Sequence, residues 1–337
     1  MSSVRRQLAA LRSSILPRFA GIAVLLAAAT ASQAAPYDLS LVRQTIGIPG
    51  TAIITTYSMN NTGEVIWTEG TSVGSTWELY SNTRGRLTNN SVADYGGRAN
   101  DSGTTVWQQM TGNGDWEIVK DGVVQTTNTV QDTGPRINNA GEVVWTSDGK
   151  VVSSTRGVLS TSGVGPDINA SGEVVYRAGA GVASMITSTV KGALGNGDHA
   201  SINDSGEIVW TGINASGMPV GIFSSVHGLI AAGGSYASIN NAGQVVYTRY
   251  NGTINELFVW DNGVSTLVAP GLNAQAFPVI SDSGDIAFMS FGYNSTAGIA
   301  TYSLYVASAG ASVPEPAGLA LLGLAALAAG AVVRRRR

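Results

Sequence analysis

The chain has 337 residues, with 19 Lys and Arg against 22 Asp and Glu, 43 glycines and no cysteine, so disulfides and thiolate metal sites are excluded. Four of the basic residues precede residue 19 and four end the chain, which leaves residues 35–312 with 11 cations and 21 anions. That acidic body argues against nucleic acid and anionic membrane surfaces as partners, since both select a basic face.

The first element in chain order is an export signal. Met1–Arg18 carries Arg5, Arg6, Arg12 and Arg18 without an acid, and Phe19–Ala29 is an unbroken apolar run. Ser32-Gln33-Ala34 then supplies small residues where a signal peptidase reads. This order predicts a secretory signal peptide over residues 1–34, with an apolar run too short to span a bilayer. The residues flanking Arg5-Arg6 fit general secretion better than a twin-arginine route.

A repeat follows. One phrase recurs as MNNTGEVIW (59–67), ANDSGTTVW (99–107), INNAGEVVW (137–145), INASGEVVY (168–176), INDSGEIVW (202–210), INNAGQVVY (239–247) and ISDSGDIAF (280–288). Its glycines are Gly63, Gly103, Gly141, Gly172, Gly206, Gly243 and Gly284, at spacings of 40, 38, 31, 34, 37 and 41, too variable for a rigid solenoid coil. Asn and Asp tolerate left-handed backbone and bond their own main chain, and Gly accepts positive φ, so N-x-x-G predicts a tight turn. The residues after it are β-branched and apolar on both faces, as in a strand covered on both sides. The fourth position after the glycine is always aromatic: Trp67, Trp107, Trp145, Tyr176, Trp210, Tyr247 and Phe288. Those rings are expected in the core between packed sheets.

A second glycine comes 16–22 residues after the first, at Gly85, Gly122, Gly157, Gly192, Gly228 and Gly263, inside strand–turn–strand patterns such as ELFVWDNGVSTLV (256–268). One unit therefore reads as strands over 245–250, 256–260, 264–268 and 277–280, four antiparallel strands in the length of a propeller blade. The expected fold is all-β: a seven-bladed β-propeller of four-stranded antiparallel blades. The last phrase is followed by only two strands, IAFMSF and TYSLYVAS, so YDLSLVRQ and AIITTYSM from the start of the body are expected to complete the seventh blade. A pair of packed sheets in a β-sandwich, or a right-handed β-solenoid, would use similar strands.

Residues for chemistry are few. The two histidines, His199 and His227, occupy non-equivalent places and are expected at the surface, and no zinc ligand set or Cys-His pair can be assembled. No G-x-S-x-G elbow, P-loop or dinucleotide fingerprint is present. No catalytic, cofactor or metal residues are assigned. Asp101, Asp204 and Asp282 stand in D-S-G, which resembles part of the Asp-box of sialidase-type propellers, although here the aromatic follows the glycine by four residues instead of three. The D-x-D-x-D-G spacing of a calcium loop is missing, so these acids read as turn residues. The eight arginines of the body, Arg43, Arg84, Arg86, Arg98, Arg136, Arg156, Arg177 and Arg249, show no common focus along the sequence. The less regular aromatics Trp77, Tyr95, Trp116, Tyr236 and Tyr293 are the better candidates for a binding face.

The last element is Pro314-Glu315-Pro316, an apolar segment Ala317–Val333, and Arg334, Arg335, Arg336 and Arg337. Seventeen helical residues span about 25 Å, slightly short of a hydrocarbon core, and the four arginines would hold that end in the cytoplasm. In the order and spacing of its parts this tail resembles the PEP-CTERM sorting signal, and the repeats resemble the propeller-type extracellular repeats of such proteins. The resemblance implies a membrane-held intermediate, processing by an exosortase in a Gram-negative bacterium, and delivery to the cell surface or extracellular polysaccharide matrix. The expected division is a signal peptide (1–34), a repeat domain (35–311) and a sorting signal (312–337) with a single apolar helix over 317–333. The expected role is a non-enzymatic surface or matrix protein that contacts extracellular polysaccharide or surface proteins. The alternative is a secreted carbohydrate-active hydrolase or lyase, which needs two converging carboxylates. The acids Glu64, Glu142, Glu173 and Glu207 are related by the repeat, and equivalent positions more often build turns and edges than a catalytic pair.

Overall fold

The computed structural model describes residues 37–47, 52–71, 77–179 and 183–310. The expected signal peptide, the apolar segment 317–333, Pro314–Pro316 and Arg334–Arg337 lie outside the described residues. Among the described residues, no helix is long and apolar enough to cross a membrane.

Every named element is a strand. β1 (Tyr37–Gly47) comes first and finds its partner last. β2 (Ala52–Met59), β3 (Val65–Thr71), β4 (Trp77–Ser81) and β5 (Gly85–Arg86) form a sheet in that order. The order recurs in β6 (Asp94–Ala99), β7 (Thr105–Met110), β8 (Trp116–Lys120) and β9 (Val123–Val124). It recurs again in β10 (Asp132–Ile137), β11 (Val143–Ser147), β12 (Lys150–Ser153) and β13 (Gly157–Ser160). A seven-stranded sheet follows: β14 (Val164–Ile168), β15 (Val174–Ala178), β16 (Met185–Ser188), β17 (Gly192–Ile202), β18 (Ile208–Ile213), β19 (Pro219–Ser224) and β20 (Gly228–Ala232). Four strands return in β21 (Gly234–Ile239), β22 (Val245–Tyr250), β23 (Asn255–Asp261) and β24 (Val264–Leu267). The last sheet holds β25 (Val279–Ile280), β26 (Ile286–Asn294) and β27 (Ile299–Ala309), with β1 outside β27.

The fold is an all-β propeller, and three expectations need correction. Seven separate four-stranded sheets were expected, whereas five have four strands and one has seven. The reason is β17, which pairs β16 through Gly192–Asn196 and β18 through Gly197–Ile202 without a break. Its centre is Gly195-Asn196-Gly197, where a Cβ on Gly197 would collide with the Trp210 ring, so bare backbone runs straight past the indole. The second correction is one of phase. The segment 277–280 does not end the unit that begins at Val245; its strand β25 opens the next sheet. N-x-x-G is the hairpin between the first and second strands of a sheet, and the long connection is the one that crosses between sheets. The third concerns closure. Only β1 joins the last sheet, pairing β27 from Tyr37↔Ala309 to Gly47↔Ala300, while AIITTYSM is β2 and starts the first sheet.

Successive sheets face each other across apolar layers. Val106 and Ile118 meet Val143 and Trp145, and Val175 and Ile186 meet Ile208 and Trp210. The circuit closes where Ile54, Val65 and Trp67 pack on Ala287, Met289 and Leu304. The seven repeat aromatics sit in these layers, each 8 % exposed or less. Thirteen residues before each of five rings the chain has adapted to it. Asp94 and Asp132 accept the indole N–H of Trp107 (2.8 Å) and Trp145 (3.1 Å). Gly163, Gly197 and Gly234 instead make way, since a Cβ there would strike Tyr176, Trp210 and Tyr247.

The phrase glycines all adopt positive φ, between 81° and 85°. Within each of the first six turns the Asn caps its own chain: the Asn60 Oδ1 accepts from the N–H of Thr62 (3.1 Å) and Glu64 (2.9 Å). Its Nδ2 then donates to the main-chain carbonyl of the next turn, Asn100, at 3.0 Å. The relay continues from Asn100 to Asn138, Asn169, Asn203, Asn240 and Ser281, at 2.9–3.2 Å. Ser281 has no amide to pass on, and the Asp282 N–H closes the circle on Asn61 Oδ1 at 2.9 Å.

Two outcomes follow. Deleting residues 37–47 strips β27 of its outer partner and leaves an open edge, so the truncated chain should melt earlier and self-associate. Melting at the parent temperature as a monomer would refute closure by β1. Asn169→Ala removes three hydrogen bonds made by a buried amide, at roughly 1 kcal/mol each. Denaturant unfolding should therefore show a loss of about 3 kcal/mol, against little for the exposed Asn139→Ala.

Candidate functional site

Two cavities lie along the axis enclosed by the first strands of the repeats. The smaller, about 180 Å³, is bounded by the Asn relay and the residues after it, Asn61, Asp101, Asn139, Ala170, Asp204, Asn241 and Asp282. The larger, about 470 Å³, lies further up the same strands. Met59, Ala99, Ile137, Ile202 and Ile239 border both, so an apolar collar separates them.

The D-S-G acids belong to the small cavity and are occupied. Asp101 accepts from the N–H and Nδ2 of Asn61 and from Asn139 Nδ2, and Asp204 and Asp282 both bind Asn241 Nδ2. Among the described residues no group of three or more acids and histidines is placed to hold a metal ion. The repeated glutamates are occupied too. Glu64 accepts from Ser81 Oγ (2.5 Å) and Arg84 Nε (2.6 Å). Glu142 is held by Ser153 and Arg156, Glu173 by Ser188 and Lys191, and Glu207 by Ser224 with His227 at 3.9 Å. Two of the basic partners reach onward to the next turn: Arg84 Nη1 donates to the Gly103 carbonyl at 3.3 Å and Arg156 Nη2 to the Gly172 carbonyl at 2.8 Å. Each of these four acids ties together the strands of its own sheet, and Arg84 and Arg156 carry that contact across to the next.

The large cavity is irregular, and the irregularity is local. Counting back two residues from the relay position gives Ser58, Arg98, Arg136, Asp167, Ser201, Ser238 and Val279. Counting back four gives Thr56, Gly96, Gly134, Gly165, His199, Tyr236 and Phe277. The last six of these all have left-handed backbone, φ 52–69°; five sit at a register shift in their strand, and Phe277 lies just before β25. Such a bulge re-aims the side chains on either side of it. Three glycines meet that geometry without strain, whereas His199, Tyr236 and Phe277 meet it at a cost that Pro278 adds to by crowding Phe277. The three rings gather, with centroids 4.8–5.0 Å apart. His199, expected at the surface, lines this cavity together with Phe277.

Where the bulges carry glycine, the cavity wall carries charge. Arg98 and Arg136 enter from β6 and β10, and Arg177 from β15, where the other sheets have Thr, Gln or Met after the aromatic. Arg136 Nε stands 3.8 Å from Asp167, and Arg177 Nη1 stands 3.4 Å from Asp198. Arg98 has no hydrogen bond or ion pair among the described residues, and its Nε is buried without a partner. Burial, followed by the neighbouring charge of Arg136, pushes the Arg98 guanidinium down to about 9, so it stays charged at neutral pH. Burial also lowers Arg136. His199 is lowered by burial, with Asp198 opposing and Arg177 assisting, and is neutral at pH 7.

The sequence therefore did not reveal the arginine focus, although a register count from the relay Asn would have found Arg98 and Arg136. Of the irregular aromatics, Tyr236 joins this site. Trp77, Tyr95 and Trp116 form a second cluster, each neighbouring pair 6.2 Å apart, and Tyr293 stands 63 % exposed. If the αL rings serve a ligand and not the core, Phe277→Gly should cost little. Relief of about 1–2 kcal/mol of backbone strain offsets the roughly 0.5–1 kcal/mol entropic cost of glycine, leaving stability within about 1 kcal/mol of the parent. The buried Phe288→Ala should lose about 3–5 kcal/mol, and urea unfolding of both variants separates the two roles.

The PEP-CTERM protein-sorting motif matches residues 312–337. No curated protein sequence matches the chain. Among solved structures, the β-propeller domain of the Trilobed protease from Pyrococcus furiosus, which has an open velcro topology, is similar at TM-score 0.52 and 9 % identity, over 77 % of this chain and 94 % of that one. An acylaminoacyl peptidase from Pyrococcus horikoshii gives TM-score 0.48 at 11 % identity, over 72 % and 49 %. TolB from Acinetobacter baumannii gives 0.38 at 12 %, over 80 % of each. At these identities the first likeness speaks for the fold alone. The sorting motif implies export and processing by an exosortase, and the described strands form a propeller. The chain joins a body of propeller repeats to a PEP-CTERM sorting motif.

Proposed function

We propose that this protein is a non-enzymatic binding propeller, delivered to the cell surface or extracellular matrix of a Gram-negative bacterium, which takes its ligand in the large cavity. The sorting motif at residues 312–337 carries the delivery part of this reading. In the same reading the propeller has seven blades, β17 serving as the outer strand of one and the inner strand of the next. The seven turns of the relay and the pairing of β17 on both sides support that count.

Binding is favoured over catalysis by the state of the acids. Glycosidic cleavage needs two carboxylates free to protonate a leaving group and to attack or activate water. The repeated glutamates are each held by a serine and a basic residue, and the two cavity acids, Asp167 and Asp198, each face a guanidinium. A rigid ring with strained aromatics and an unpartnered arginine is instead suited to holding a ligand.

The delivery reading is tested in the native host. Replacing Pro314-Glu315-Pro316 by three alanines should leave an uncut form in the inner membrane, read by fractionation and intact mass. Normal arrival of that variant at the surface would sink the sorting part of the proposal. Incubating the protein with a glycan array, and reading both retention and new reducing ends, should show retention without cleavage; cleavage would favour the carbohydrate-active enzyme.

A further inference from the structure

The large cavity holds one positive charge more than it neutralises. Arg98, Arg136 and Arg177 face it against Asp167 and Asp198, and His199 is neutral. The surplus falls on Arg98, since the other two arginines each have a carboxylate within 4 Å. Arg98 is half-buried, its Nε has no hydrogen-bond partner, and Asp167, already paired with Arg136, attracts it only from beyond ion-pair distance, so an anion placed against it would be held. Arg98 takes no part in the relay, and of the equivalent residues Arg136 and Asp167 pair with each other while the rest are Ser or Val.

The neighbouring arc of the wall differs in kind. His199, Tyr236 and Phe277 form a packed aromatic group, and Phe277 remains 54 % exposed although it is a large apolar residue. An occupant that satisfies both arcs has one negative charge and, beside it, a ring face able to lie on an aromatic group. A planar carboxylate matches the fork of a guanidinium in two parallel hydrogen bonds. One carboxylate matches a cavity whose surplus is one cation.

We propose that the cavity binds a uronic acid residue of an acidic polysaccharide, with its carboxylate on Arg98 and its pyranose face against Phe277. This rests on the reading of the protein as an extracellular binder and names the ligand class for it. A cavity of about 470 Å³ admits a short stretch of sugars. The carboxylate completes the charge balance, and the aromatic arc orients the ring.

Calorimetry on the full chain in detergent tests this, with oligomers of glucuronate or galacturonate against neutral glucose or galactose oligomers of equal length, and a tripeptide with a free C-terminus. The acidic oligomers should bind at least tenfold more tightly than the neutral ones and should raise the melting temperature of the unaltered protein. Arg98→Gln should weaken acidic binding at least tenfold while melting no lower than the parent, because it removes a guanidinium whose Nε has no partner. Arg98→Lys, which keeps the charge but loses the fork, should fall between them. Phe277→Gly should weaken binding of acidic and neutral sugars alike. Equal binding of acidic and neutral oligomers, preference for the tripeptide, or no thermal shift with any acidic sugar would overturn the proposal. Retention of neutral glycans alone would overturn the acidic ligand and leave the binder reading standing.

Discussion

The asparagine relay is the constraint on which the rest of the molecule depends. Each relay Asn does two jobs with one side chain: its oxygen closes its own turn and its nitrogen reaches the carbonyl of the next turn. The geometry of every hairpin is thereby coupled to the spacing between sheets. These amides are 3–7 % exposed, so an unmet bond at any of them would cost the desolvation of a polar group. With no cysteine available, the ring is held by this relay, the closing strand β1 and the apolar layers between sheets.

Those layers show how a repeat absorbs variation. The aromatic after each turn must enter a space whose far wall belongs to its own sheet's first strand. A tryptophan whose N–H meets an aspartate is fixed by a bond between buried groups. A ring opposite glycine is fixed by shape. At Trp210 the glycine solution has a wider consequence, because the bare backbone at Gly195 and Gly197 lets β17 continue straight into the next repeat. One packing choice thus fuses two sheets that are separate elsewhere in the ring.

The same regularity makes the departures meaningful. Where a scaffold repeats seven times, a residue that packing alone requires recurs at its equivalent positions. Arg98 and Arg136 share one register position and His199, Tyr236 and Phe277 another, yet neither type fills its position around the whole ring. With Arg177, which has no counterpart, all six belong to one cavity and the aromatic group on its rim. The left-handed bulge occurs in five of the inner strands, and it projects whatever residue it carries. Three repeats have glycine at this left-handed position and three have aromatic rings, at a backbone cost that glycine avoids. The propeller supplies the left-handed bulge in five strands, and individual substitutions give the cavity its charged and aromatic wall.

Much of this molecule was legible in one dimension. The turns, the strands after them, the buried aromatics and the propeller class are set by local chemistry: N-x-x-G demands a tight turn, and doubly apolar strands demand cover on both faces. The tail carries its own address in Pro314-Glu315-Pro316, an apolar run and four arginines, independent of any fold. What the tertiary structure alone decided is which neighbours in sequence become neighbours in a sheet. The phase of the strands, the single-strand closure through β1 and the fusion at β17 depend on long-range pairing, which has no local signature. The charged and aromatic cavity was hidden for the same reason. Arg98, Arg136 and Arg177 are scattered along the sequence, and Tyr236 and Phe277 are 41 residues apart. Only when a closed ring brings its inner strands to one axis do those separate irregularities become one site.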